Sequence, residues 1–195
     1  RGEALRARGG RLVVVDPRRT ETAEIADEYL PVRPGTDVFL LLAVLHEVFT
    51  SGRQATGHLQ PAIDGLEELR AAVLGFDPLR LAERAGVPHE RLRRLAHELC
   101  DEPRALVYGR VGACTQEFGG LVLWLIYCLN ALTGHLDTEG GMMFAEPPVD
   151  LTRAYGSKGH YGKFRSRVRN LPEFGNELPV AALAEEILTD GAGRI

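Results

Sequence analysis

The stretch Leu12-Val13-Val14-Val15-Asp16-Pro17 constrains the fold of this chain more than any other. Three successive β-branched residues favour a strand, and the lack of polar alternation describes one covered on both faces, as in a parallel sheet between helix layers. The flanking sequence supplies helices. Residues 1–8 read as the end of one, with Ala4, Leu5 and Arg8 at helical spacing, and Gly9-Gly10 is its stop. After the strand, Thr20 can cap a helix carrying Glu21 and Glu24 in its first turn, and a second short strand around residues 29–32 follows. The turn Arg33-Pro34-Gly35-Thr36-Asp37 then leads into a helix with Leu40, Leu41, Val44, Leu45 and Val48 on one broad face. Strand, helix, strand, helix is the rhythm of a doubly wound sheet, so the expected class is α/β with a partial Rossmann-like parallel sheet.

Residues 51–102 change to short helices punctuated by Gly and Pro, the clearest carrying Leu92, Leu95, Ala96 and Leu99 on one face. They read as a helical insertion. Ala105-Leu106-Val107-Tyr108 reads as a third buried strand, leading through Gly109-Arg110-Val111-Gly112 into an apolar helix over Leu121 to Leu132 that is expected to be interior. From Thr133 to Asn176 the sequence reads as a long irregular loop region. A last amphipathic helix carries Val180, Leu183, Ile187 and Leu188, and residues 191–195 read as the lead into a strand. The expected organisation is residues 1–50 as an α/β half, 51–102 as the insertion and 103–195 as the continuation of one truncated domain. Both ends fall within regular elements, which leads us to expect a fragment of a larger protein.

A content of 45% hydrophobic and 26% charged residues suits a globular domain, and 27 acidic against 23 basic residues argue against a general binder of nucleic acid or anionic membrane. The longest apolar run, Leu121 to Leu129, is less than half of the roughly 20 residues a membrane span requires. The first ten residues lack the apolar stretch of a secretory signal. Cys100, Cys114 and Cys128 form no C-x-x-C pair, and the histidines form no paired-ligand pattern, so no protein-built metal site is expected.

Three clusters carry chemistry, each placed by this reading after a strand and so on one sheet edge. Asp16 stands where a nucleotide-binding α/β unit keeps the acid that accepts bonds from ribose hydroxyls, followed by Pro17, Arg18, Arg19 and the capping Thr20; the guanidinium groups can pair with phosphate or stack on a purine. The plain alternative is a turn with solvated arginines. Gly35, Thr36 and Asp37 make the second cluster, with simple helix capping as its alternative. Gly109, Gly112 and Gln116 make the third; a tight turn explains the glycines, but not Gln116 ahead of an apolar helix.

The run from Leu12 through Ala23, then Ala26-Asp27, then Arg33 to Asp37 before a leucine-rich helix, resembles the molybdopterin oxidoreductase family, of the dimethyl sulfoxide reductase type that includes formate dehydrogenases and nitrate reductases. Gly109 to Gly112, Gln116, Gly120, Leu132-Thr133-Gly134 and Gly140-Gly141 fit the same family in the same order. The resemblance implies that Asp16, Pro17, Arg18, Arg19 and Thr20, with Gly35, Thr36 and Asp37, bind the guanosine and phosphate part of a molybdopterin guanine dinucleotide carrying molybdenum or tungsten. It places Gly112 and Gln116 nearer the pterin. The family's cysteine motif for a 4Fe-4S cluster and its molybdenum-ligating residue have no counterpart here, so no catalytic residue is expected and this chain alone is expected to be inactive. The parent would be the enzyme. Its implied partners are the remaining domains, a small redox substrate and an electron-transfer subunit; the compartment stays open between cytoplasm, which is favoured, and periplasm.

Two other classes stay open on the residues alone: a generic nucleotide- or NAD-binding module using Asp16, although no G-x-G-x-x-G is present, and a non-catalytic interaction domain. A basic, aromatic patch of Lys158, His160, Lys163, Arg165, Arg167 and Arg169 with Tyr161 and Phe164 suggests single-stranded nucleic acid, against the net charge of −4.

Overall fold

A computed structural model describes residues 2–144, 148 and 161–194. The chain divides into two compact units, Arg1–Phe144 and Ala145–Ile195.

The first unit is α/β. Helix α1 (Gly2–Arg6) ends at Gly9, whose φ of +78° suits the glycine, and strand β1 (Val13–Val15) follows. Thr20 caps α2 (Glu21–Glu24) by accepting the Ala23 N–H at 3.3 Å, and β2 (Glu28–Leu30) lies parallel to β1 in the register Val13–Glu28, Val14–Tyr29, Val15–Leu30. The next helix, α3 (Asp37–Thr50), is buried nearly all round, from Val38 through Phe49 except Phe39 and His46. The sequence shows one apolar face, but 3₁₀ turn Gly57–Ala62 and helices α4 (Leu66–Leu74), α5 (Pro78–Ala85) and α6 (His89–Asp101) follow, and α4, α5 and α6 all pack on α3. Their Val73, Leu81, Ala82, Ala85, Leu92 and Ala96 share one apolar cluster with Leu45 and Val48 of α3.

Residues 105–108 form no strand. Ala105 to Arg110 lie outside any helix or ladder, and Leu106 and Tyr108 are exposed. The side chain of Asn130 takes the place of a neighbouring strand: its Oδ1 accepts the Val107 N–H at 2.9 Å and its Nδ2 donates to the Val107 carbonyl at 2.8 Å. After short α7 (Val111–Cys114), α8 (Gly119–Leu132) buries Val122, Leu125, Ile126, Leu129 and Leu132 against the core and contacts α3. It is not interior throughout, because Leu121, Leu123, Trp124 and Tyr127 are exposed. Cys128 of α8 is half-buried, and desolvation pushes its thiol up to about 11.

The second unit corrects the expected loop. Strands β3 (Tyr161–Arg165) and β4 (Pro172–Phe174) form an antiparallel hairpin, turned through Asn170 at φ +55°. Its core group is charged: fully buried Glu173 accepts the Lys163 N–H at 2.7 Å and the Asn176 N–H at 3.0 Å. A 3₁₀ turn (Val180–Ala182) precedes α9 (Leu183–Leu188), where the buried Glu186 accepts the Val168 N–H at 2.8 Å and faces the Arg167 guanidinium. Residues 191–194 form a turn, and Ile195 lies outside the described residues.

Candidate functional site

Parallel pairing brings the ends of β1 and β2 to one edge, and both strands run there into the loops that carry the first two clusters. Asp16 extends the ladder by donating its N–H to the Leu30 carbonyl at 3.3 Å. Its Oδ1 accepts the Arg18 N–H at 2.8 Å, an Asx turn with Pro17 at its corner. Tyr29 braces this turn from β2, its hydroxyl donating to the Asp16 carbonyl at 2.9 Å, while the Arg19 guanidinium sits 5.9 Å from the Tyr29 ring centroid. Neither Arg18 nor Arg19 forms an ion pair among the described residues, so two cations stand at the strand end without a neutralising acid. Tyr29 escapes sequence reasoning, since one aromatic in a short strand reads as packing.

The second cluster is held from behind. The Arg33 N–H donates to the Ala85 carbonyl at 2.9 Å and its guanidinium to the Glu83 carbonyl at 2.7 Å, so the loop is clamped on the carboxyl end of α5. Gly86, at φ +77°, closes that helix end, and a Cβ there would stand 2.9 Å from the Arg33 Cγ. Gly86→Ala therefore meets both backbone strain and a clash. We expect a loss of about 2 kcal/mol in urea unfolding, with faster exchange of the Arg33 amide than of amides within α3.

The second and third clusters meet directly. Gln116 Nε2 donates to Asp37 Oδ2 at 2.9 Å and lies against the Ala113 carbonyl at 2.9 Å and the Gly112 carbonyl at 3.3 Å. Three acceptors around one nitrogen fix the orientation of the amide, because turning it would set oxygen against oxygen. Gln116 Oε1 is thereby directed away, buried and without a donor among the described residues, and a Cβ on Gly35 would lie 3.8 Å from it. Gly35 has φ +76°, and the Thr36 hydroxyl donates back to the Arg33 carbonyl at 2.7 Å, shaping the turn rather than capping α3. Gly112 is exposed, and a Cβ there would meet nothing within 4 Å, so no packing demands the glycine. Gly109 differs: a Cβ there would stand 2.4 Å from the Ile126 side chain, so its glycine serves close packing.

The two strand-end loops offer carboxylates at Asp37 and Asp16 and, among the described residues, an amide acceptor at Gln116 without a donor and two guanidinium groups without an acid partner. Such a set suits a ligand with N–H donors, hydroxyls and phosphate. Among the described residues no three His, Cys, Asp or Glu side chains are placed to hold a metal, and no helix is long and apolar enough to cross a membrane. In the second unit Lys158 and His160 lie outside the described residues, while Arg165 donates to the Asn170 carbonyl, Arg167 is held by Glu186 and Arg169 stands 3.7 Å from Glu185. These arginines stabilise the unit's own fold.

Residues 2–180 match the family model described as molybdopterin oxidoreductase. The chain is 33% identical over 140 residues to "Probable oxidoreductase YoaE" of Bacillus subtilis (strain 168), covering 71% of this chain and 21% of that protein. It is 28% identical over 168 residues to the thiosulfate reductase molybdopterin-containing subunit PhsA of Salmonella typhimurium, covering 85% and 22%. Among solved structures it resembles acetylene hydratase from Pelobacter acetylenicus, with a TM-score of 0.63 and 30% identity over 68% of this chain and 18% of that one. The chain thus spans about a fifth of the length of the relatives it matches. It belongs to the molybdopterin oxidoreductase family, whose chemistry runs on a molybdenum or tungsten pterin.

Proposed function

We propose that this chain holds the guanine dinucleotide part of the pterin cofactor within a larger oxidoreductase. The observation that carries the reading is the Asp37–Gln116 pair, whose buried amide oxygen has no donor among the described residues. A buried acceptor left unpaired costs roughly 1–3 kcal/mol, so such a group marks a place where a donor belongs. Guanine presents two adjacent N–H donors on one edge, which suits Asp37 and Gln116; Gln116 is then set at the guanine rather than nearer the pterin, where the resemblance alone would put it. Adenine presents an acceptor where guanine carries one of them. Asp16 would accept from the ribose, and Arg18, Arg19 and the Thr20 helix start would balance phosphate charge. When bound, the cofactor supplies the two-electron chemistry, and this chain's share is to orient it and exclude water.

The substrate stays outside this reading, because the similar proteins bear the names of a thiosulfate reductase and an acetylene hydratase. A 4Fe-4S cluster, an electron-transfer subunit and the further domains belong to the proposed parent. The test is calorimetric titration of the chain with GDP, ADP and NAD. We expect GDP to bind at least about tenfold tighter than ADP, the margin of one hydrogen bond to a charged group. Asp37→Asn should erase that margin while leaving the weaker ADP affinity in place. A preference for NAD would favour the generic dinucleotide module, and indifference to all three by the folded chain would overturn the cradle.

A further inference from the structure

The residues of β1 and β2 divide between the two faces of their sheet. Val13, Val15 and Leu30 belong to or pack on the apolar cluster. Val14 and Tyr29, opposite each other in the register, alternate with them and so fall on the other face. Neither belongs to the cluster, and Tyr29 is only half-buried. An aromatic that the core does not hold has its use elsewhere, and the hydroxyl of Tyr29 goes to one place, the Asp16 carbonyl, at 2.9 Å.

That carbonyl has no other partner among the described residues. On the other side of the same residue, the Asp16 N–H is held by the Leu30 carbonyl at 3.3 Å. A residue before proline is already confined to extended backbone, so pinning both of its peptide groups sets the direction in which its side chain leaves the strand. One carboxylate oxygen of Asp16 then takes the Arg18 N–H at 2.8 Å, and the other has no donor among the described residues. The ring of Tyr29 makes the second contact, under the Arg19 guanidinium at 5.9 Å, a cation without an acid partner among the described residues.

We infer that Tyr29 is a positioning residue for the dinucleotide: its hydroxyl aims the Asp16 carboxylate at the sugar hydroxyls, and its ring holds the Arg19 charge at the phosphates. The inference rests on the cofactor reading proposed above and adds to it the group that ties sugar and phosphate recognition together. Tyr29 itself touches no part of the ligand. It acts through Asp16 and Arg19.

The two contacts separate by ligand. The chain is titrated calorimetrically with GDP, 2′,3′-dideoxy-GDP and guanosine. The ratio of GDP to dideoxy-GDP affinity reports the sugar hydroxyls, and the ratio of GDP to guanosine affinity reports the phosphates. In the wild-type chain both should be at least about tenfold, since each rests on hydrogen bonds to a charged group. Tyr29→Phe keeps the ring and removes the hydroxyl, so the sugar ratio should fall to about twofold or less while the phosphate ratio stays within about twofold of wild type. Tyr29→Leu removes both contacts and should lower both ratios. Phenylalanine leaves the core face untouched, and far-UV circular dichroism checks that each variant is folded.

A merely structural role would weaken all three ligands by one factor and leave both ratios unmoved, which overturns the inference. A Tyr29→Phe variant with wild-type affinities overturns it too, as does one that loses the phosphate ratio instead of the sugar ratio. Asp16→Ala and ADP tell the possible failures apart. If Asp16→Ala abolishes the sugar ratio and Tyr29→Phe does not, Tyr29 alone is ruled out and the cradle stands. A wild-type chain that prefers GDP to ADP but ignores the sugar hydroxyls overturns the inference and leaves the guanine contacts standing. If it binds ADP as well as GDP, the cofactor reading falls and takes the inference with it.

Discussion

Asn130→Ala should destabilise the first unit by about 3–5 kcal/mol, measured as a fall in the urea midpoint at unchanged m-value. Asn130 is fully buried, and its amide does three things: it accepts from the Val107 N–H, donates to the Val107 carbonyl and donates to the Ile126 carbonyl at 2.8 Å. The first two are the bonds a neighbouring strand would make. Deleting the side chain strands both Val107 groups at roughly 1–3 kcal/mol each and opens a small cavity beside Ile126. Asn130→Asp provides the discriminating arm. It keeps the acceptor and the shape but loses the donor, so the Val107 amide should stay protected while its carbonyl loses its partner. Asn130→Leu fills the volume and restores neither bond. If packing alone explained Asn130, leucine would rescue the fold; we expect it not to, and the Val107 amide to exchange as fast as in the alanine variant.

Asn130 also shows where the sequence is legible and where it is not. The β1–α2–β2 unit can be read residue by residue, because each of its signals is local: β-branched run, Asx-Pro turn, threonine cap, acids in the first turn. The same holds for α6, whose period is complete over Leu92, Ala96 and Leu99. Residues 105–108 carry the same local signal as β1 and yet form no ladder, because a ladder needs a partner and these residues have a side chain in its place. No propensity reports that. The lone polar residue inside the apolar α8 was the available clue, since a buried Asn must find partners. The hairpin of the second unit was hidden for a related reason: it is organised around the carboxylate of Glu173 rather than an alternating apolar face. Its basic residues suggested a free patch because the acids answering them, Glu185 and Glu186, lie far along the chain.

The site divides in the same way. Asp16, Thr20, Gly35 and Asp37 are legible as turn and cap chemistry at strand ends, whatever they bind. The contact between Asp37 and Gln116 joins residues 79 apart in sequence, and the clamp of Arg33 on α5 spans 50. The Asp37–Gln116 contact depends on α8 packing against α3, and the clamp on the helices of residues 57–101 packing behind α3. The sequence suggested an inserted accessory there; the structure makes it the support of the second loop, through the carbonyls of Glu83 and Ala85.

That support is tied to the sheet at Glu28, and Glu28→Gln should cost about 2–3 kcal/mol. The carboxylate of Glu28, at the start of β2, is about 10% exposed and lies among three guanidinium groups: Arg11 from the segment before β1, Arg91 at 2.5 and 3.1 Å, and Arg94 at 2.9 Å. Burial raises its pKa, but the Arg91 hydrogen bonds and the charges of Arg91, Arg94 and Arg11 together outweigh this and hold it below the ordinary carboxylate value. Glutamine keeps the shape and removes the charge, leaving Arg91 without its acid and Arg11 and Arg94 to share Glu98. Breaking a fully buried pair costs about 3–5 kcal/mol; we expect less because the arginines remain partly hydrated. The pH dependence gives the independent readout. A carboxyl with a depressed folded-state pKa binds its proton more readily in the unfolded chain, so its contribution is complete above the unfolded value of about 4.3 and is lost as pH falls through the lower folded value. Wild type and Glu28→Gln should therefore differ most at neutral pH and converge only as pH falls through the lowered folded-state value. A difference that persists unchanged into acid would show that Glu28 acts through packing and not through charge.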